Sequence, residues 1–107
     1  MEEINVKYKS DVINYLNQLT FTLFKENYFS YFENSVNYKD RIIDFIDENI
    51  FFFPARKTPF QLKNFGSNYI FYKSNQRTTW YIFYEQKDNN FVITNIINNN
   101  SEEVKWL

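Results

Sequence analysis

Between residues 68 and 98 the chain carries three runs of aromatic and β-branched residues separated by two short turns rich in Asn and Asp, and few folds accommodate that pattern. Asn68–Lys73 leads to Ser74-Asn75-Gln76, residues 78–86 lead to Asp88-Asn89-Asn90, and residues 91–98 close the series. Asn and Asp side chains bond their own backbone and tolerate positive φ, so both turns suit antiparallel hairpins. The spacing predicts a three-stranded meander. In its middle strand Trp80, Ile82 and Tyr84 share one face, while Tyr81, Phe83 and Glu85 share the other. In its last strand Phe91, Ile93, Asn95 and Ile97 alternate with Val92, Thr94 and Ile96.

Upstream, Ile4, Val6 and Tyr8 alternate with Asn5, Lys7 and Lys9, which predicts a short first strand. Ser10 or Asp11 can then cap a helix reaching about Lys25, with Val12, Tyr15, Leu16 and Leu19 at helical spacing. Residues 26–34 read as an aromatic connector. A second helix follows, capped by Ser35, with an apolar stripe of Tyr38, Ile42, Ile43, Phe45 and Ile46; Lys39, Asp40, Asp44, Asp47 and Glu48 face outward. Pro54 and Pro59 bracket a loop, since each removes a backbone donor. Two amphipathic helices and a half-buried sheet complete one another, so the helices should lie on the face that carries Ile82. The expectation is one α+β domain spanning residues 1–107: an N-terminal strand and a two-helix hairpin packed on an antiparallel meander.

A chain of 107 residues can bury roughly two-thirds of its unfolded surface, and thirteen Phe with nine Tyr supply the apolar area. Neither cysteine nor histidine is present, which excludes disulfides, thiol nucleophiles and the usual zinc ligands. Gly66 is the single glycine, so glycine-rich phosphate loops are excluded too. No cofactor and no metal are expected. No apolar run approaches membrane-spanning length and residues 1–9 do not resemble a signal peptide, so the protein is expected to be soluble, cytoplasmic and free of membrane contact.

The net charge of −1 conceals a strong asymmetry. Residues 55–87 hold Arg56, Lys57, Lys63, Lys73, Arg77 and Lys87 against Glu85 alone, a net +5, while residues 1–50 carry −4 and residues 88–107 carry −2. A basic, Tyr-rich centre in an acidic remainder attracts a polyanion or an acidic protein.

The order strand, helical pair, meander, together with the residues that fill it, resembles the RelE/ParE superfamily of type II toxins, closest to a Bacteroidetes-type branch. The resemblance is carried by Glu26-Asn27-Tyr28-Phe29-Ser30, by the 54–59 loop, and by Tyr72-Lys73-Ser74-Asn75 leading into Arg77-Thr78-Thr79-Trp80-Tyr81-Ile82-Phe83-Tyr84. Ile93-Thr94-Asn95-Ile96-Ile97-Asn98-Asn99 completes it, so it covers residues 4 to 99. It implies a toxin held by a cognate antitoxin in a hetero-oligomer. RelE-like members cleave mRNA on the ribosome without a metal: the 2′-OH attacks the adjacent phosphate while basic residues stabilise the developing charge. ParE-like members instead poison DNA gyrase.

Carried onto this sequence, the resemblance makes Lys57, Lys63, Lys73 and Arg77 nucleic-acid contacts, with Arg77, Tyr84 and Glu85 as candidate catalytic groups. Each has a plainer alternative. Lys73 and Arg77 suit solvated turn positions, Tyr81 and Tyr84 suit core packing, and Glu85 suits a cross-strand ion pair. Trp80 fits either the core or a partner-facing anchor. Where many RelE-like enzymes carry an Arg and, further on, a Tyr or His, this chain has Asn95, Asn98 and Asn99, then Trp106. That departure favours a ParE-like, non-catalytic alternative, or a toxin-fold protein-interaction module.

Overall fold

The computed structural model describes residues 3–25 and 32–107. The chain forms β1 (Asn5–Tyr8), α1 (Ser10–Lys25), α2 (Phe32–Asn49), β2 (Arg56–Lys57), β3 (Asn68–Lys73), β4 (Thr79–Lys87) and β5 (Asn90–Asn98). Short 3-10 turns occupy Phe60–Phe65 and Glu102–Trp106. The strands make one sheet in the order β1-β5-β4-β3-β2, with β1 parallel to β5 and every other pair antiparallel. The expected α+β class and the meander are therefore present. No helix among the described residues is long and apolar enough to cross a membrane.

Both α-helices pack on the face that carries Ile82. Residues four apart lie on one side of a helix, and so Val12, Leu16 and Thr20 of α1 and Ile42 and Ile46 of α2 are buried, as is Ile50 just beyond α2. They meet Ile70, Trp80, Ile82, Tyr84, Phe91, Ile93 and Ile96 from the sheet. Full burial of each such side chain contributes about 1.5–3 kcal/mol against exposure. Trp80 belongs to this core, where its indole Nε1 donates to the Tyr38 hydroxyl at 2.9 Å.

The opposite face has a smaller core that the sequence did not suggest. Leu62, Tyr69, Phe83 and Ile97 are buried there, with Phe65, Tyr81, Val104 and Leu107 packed against them. The two 3-10 turns supply Leu62, Phe65 and Val104, and Leu107 follows the second, so these segments cover the face of the sheet that the α-helices leave bare.

Three local expectations need correction. Ser35 does not cap α2: the helix begins at Phe32 and Ser35 sits inside it, fully buried, while Glu33 lies in the first turn where the helix dipole favours an acid. The aromatic connector falls largely in residues 26–31, outside the described residues. The 54–59 segment is not all loop, because Arg56 and Lys57 pair with Tyr69 and Asn68. Proline cannot donate to a ladder, so the flanking prolines fit a strand this short at the sheet's edge.

The third correction concerns β5. Phe83 pairs with Asn95 and Tyr84 with Ile93, so Thr94 is skipped and the strand bulges. Beyond the bulge the alternation slips by one. Ile96 joins Phe91 and Ile93 under the helices, and Ile97 faces the second core. The Thr94 hydroxyl donates to the Phe65 carbonyl, tying the bulge to the first 3-10 turn.

Candidate functional site

Along β3, residues 69, 71 and 73 point away from the helices, and their partners across the ladder are Phe83, Tyr81 and Thr79. Arg56 is opposite Tyr69 in β2 and takes the same side. These positions form a groove of about 260 Å³ lined by Arg56, Tyr69, Phe71, Lys73, Thr79 and Tyr81, with Leu107 at its margin. The Arg56 guanidinium carbon lies 5.2 Å from the centre of the Phe71 ring. Lys73 is the next position on that face of β3 and lines the same groove. The Tyr69 and Tyr81 rings, 6.2 Å apart, continue the aromatic floor.

Neither cation of the groove has an ion-pair partner among the described residues. Among the described residues one ion pair forms, Lys105 with Glu102 at 3.6 Å, and it involves none of the groove's cations. No acidic side chain lines the groove. A guanidinium resting on a ring keeps its N–H edge free, and that edge is the part that grips phosphate bidentately. A guanidinium so placed, with a lysine in the same groove, can hold a phosphodiester while a base stacks. The lining has no carboxylate or imidazole side chain, and its side-chain hydroxyls are those of Tyr69, Thr79 and Tyr81.

The structure redistributes the residues expected at the site. Lys73 lines the groove, and Arg77 is exposed in the β3–β4 turn just beyond it. Lys57 is exposed opposite Asn68, so its side chain takes the other face of the sheet. Lys63 is in the first 3-10 turn, with its Nζ 5.5 Å from the Phe60 ring centre.

The three candidate catalytic groups do not converge. Tyr84 is 1 % exposed beneath the helices, where burial raises its pKa and keeps its hydroxyl off the groove's face. Glu85 shares the groove's face but stands six residues from Thr79 along β4, about 20 Å at the usual strand rise. Its carboxylate accepts the Ser67 N–H at 3.0 Å rather than pairing with a lysine. Arg77 is at the far end of the hairpin from Glu85. Parity had already separated Tyr84 from Glu85, since adjacent strand residues face opposite ways.

Arg56 is the functional candidate that sequence reasoning left out. It lies in the basic stretch, but a position between two prolines gives no sign of pairing with Tyr69. Asn99, just past β5, is turned to the β3–β4 turn: its Nδ2 donates to the Arg77 carbonyl at 2.9 Å and its Oδ1 accepts the Thr79 N–H at 3.1 Å. Asn95 and Asn98 likewise bond the backbone beside them, at Ile96 and Asn100.

No family model, curated protein or solved structure matches the chain.

Proposed function

We propose that the chain is a toxin of the RelE/ParE kind that inhibits translation by gripping RNA along the sheet face opposite its helices. The observation that carries this reading is that Arg56, resting on the ring of Phe71, and Lys73 line one groove, neither with an ion-pair partner among the described residues. The element order strand, two helices, meander supports it. Arg56, Lys73 and Arg77 are the phosphate contacts, and Phe71 and Tyr81 are the stacking surface. In the nuclease form, the substrate's own 2′-OH attacks the adjacent phosphorus, the P–O5′ bond breaks to leave a 2′,3′-cyclic phosphate, and the proton reaches the leaving 5′-oxygen through solvent; the cations stabilise charge at phosphorus, so no metal is required. The partners on this reading are mRNA on the ribosome and a cognate antitoxin that covers the basic face.

A second reading has its own observation. With Tyr84 buried, Glu85 bonded to Ser67 and no acidic side chain lining the groove, the site is better furnished for binding than for proton transfer. A non-catalytic, ParE-like inhibitor of a protein target such as DNA gyrase would need only the binding. Expression without an antitoxin separates the two: the first arrests growth with mRNA cleavage, the second induces an SOS response with mRNA intact. Unimpaired growth at high soluble expression overturns both.

The RNA contact has a direct assay. Binding of single-stranded RNA should weaken steeply as salt rises, because each neutralised phosphate releases counterions. The double variant Arg56→Ala/Lys73→Ala should flatten the plot of log K against log salt by about 1.4, at roughly 0.7 per contact for single strands. An unchanged slope removes the groove from the interface.

A further inference from the structure

The β3–β4 turn is held by more side-chain bonds than its hairpin needs. Asn75 Oδ1 accepts the N–H of Arg77 at 2.8 Å and that of Thr78 at 2.9 Å. Asn99, just past β5, donates through Nδ2 to the Arg77 carbonyl at 2.9 Å. Its Oδ1 accepts the Thr79 N–H at 3.1 Å, and its own N–H donates to the Thr79 carbonyl at 3.0 Å. Both backbone groups of Arg77 are therefore occupied by asparagine side chains from opposite sides.

A second set of bonds joins the turn to the core. The Ser74 N–H donates to the Thr78 carbonyl at 3.0 Å, and the Ser74 hydroxyl shares a hydrogen bond of 2.8 Å with the Tyr38 hydroxyl. Tyr38 in turn accepts from Trp80 Nε1. The register of β3 on β4 is set independently by six paired positions from Asn68↔Tyr84 to Lys73↔Thr79. In an exposed turn water could satisfy the same backbone groups without fixing them. The residue so fixed is an exposed arginine whose guanidinium has no ion-pair partner among the described residues.

We propose that Asn75 and Asn99 are positioning residues: they preset the Arg77 backbone so that its guanidinium meets a phosphodiester of single-stranded RNA with little ordering left to do. Binding loses free energy to each segment it must immobilise, so a turn ordered beforehand raises affinity without a new contact. The inference rests on the polyanion reading above and extends it to two residues that touch no ligand.

A double-mutant cycle on the intact chain tests it, with poly(U) RNA as the probe and each variant's melting curve recorded so that binding is read where all are folded. Arg77→Ala should weaken binding about tenfold, the scale of one charge-assisted hydrogen bond. Asn99→Ala should weaken it about threefold or more, and should have no further effect in the Arg77→Ala background. Asn75→Ala should behave as Asn99→Ala does, and Asn75→Ser should restore most of the loss because a serine hydroxyl can accept the same turn bonds. Additive losses would overturn the proposal, since they would mean that the asparagines act on RNA or on the fold independently of Arg77. So would undiminished binding by both alanine variants when Arg77→Ala is weakened. Binding by the wild type that ignores salt would instead refute the polyanion reading, and this inference with it.

Discussion

Replacing Trp80 with alanine is expected to lower the free energy of unfolding by about 3–5 kcal/mol, the range for removing a buried aromatic side chain. Trp80 is 2 % exposed near the start of β4, where it meets both α1 and α2. Its ring meets Tyr15 edge-on at 6.4 Å and Tyr38 edge-on at 6.5 Å, so it closes the seam between the helices and the sheet. Truncation would empty that volume, remove both ring contacts and delete the donor to the Tyr38 hydroxyl. Domains of this size are typically stable by about 5–15 kcal/mol, so the loss is a large fraction of the total. At about 4–8 °C per kcal/mol the melting temperature should drop by at least 12 °C. Urea unfolding with an unchanged slope measures the energy directly. Trp80→Phe keeps much of the packing and should cost about 1–2 kcal/mol through the lost hydrogen bond and volume. A loss below about 1 kcal/mol for Trp80→Ala would show that the ring does not carry this seam.

That centre was legible from sequence because its signals are local. Alternation placed Trp80, Ile82 and Tyr84 on one face of β4, and the structure has all three in the helix-facing core. The bounds of β3 coincide with the expected run, and the β4–β5 turn sits at Asp88, whose φ of 55° an aspartate tolerates. The elements that escaped are those without a repeat of their own. A two-residue strand has no period, and Arg56 and Lys57 are ordered by their partners Tyr69 and Asn68 rather than by their neighbours. The 3-10 turns are too short to show a hydrophobic face, though Leu62, Phe65, Val104 and Leu107 seal the second core. The β5 bulge reflects tertiary contact, because the Thr94 hydroxyl turns to the Phe65 carbonyl instead of continuing the alternation.

The same distinction explains what happened to the candidate site. Charge clustering along the sequence located the basic half of the sheet but could not say which cations share a face. Register supplies that answer: Arg56 and Lys73 face the groove and Lys57 does not. The catalytic set of Arg77, Tyr84 and Glu85 came from likeness in sequence order. Geometry separates its members by strand parity and by the length of β4, so these three residues do not form one proton-transfer site.

Gly66→Ala is expected to be nearly as disruptive as loss of Trp80, for the opposite reason. Gly66 ends the first 3-10 turn at φ 153° and ψ 158°, a conformation essentially reserved for glycine. Its backbone passes so close to the sheet that an added Cβ would stand 2.5 Å from Thr94 Oγ1, 2.9 Å from the Tyr84 backbone nitrogen and 3.1 Å from Phe83 Cβ. The threonine could rotate away, at the cost of its bond to the Phe65 carbonyl. Tyr84 N cannot move so easily, because it belongs to the strand opposite the bulge and its own side chain is locked under the helices. Strain of about 1–3 kcal/mol at the dihedrals and a similar amount for overpacking together predict a loss of about 3–5 kcal/mol. Adding Thr94→Ala relieves one of the clashes and leaves the other two, so Gly66→Ala should still cost more than about 2 kcal/mol in that background, measured by urea unfolding. If Thr94→Ala abolished the penalty, the backbone approach at Tyr84 would be irrelevant and the hydroxyl contact alone would explain the glycine. If the penalty persists, Gly66 is what lets the Phe60–Phe65 turn lie flat on the sheet, with Phe65 held edge-on against Phe83 at 5.3 Å.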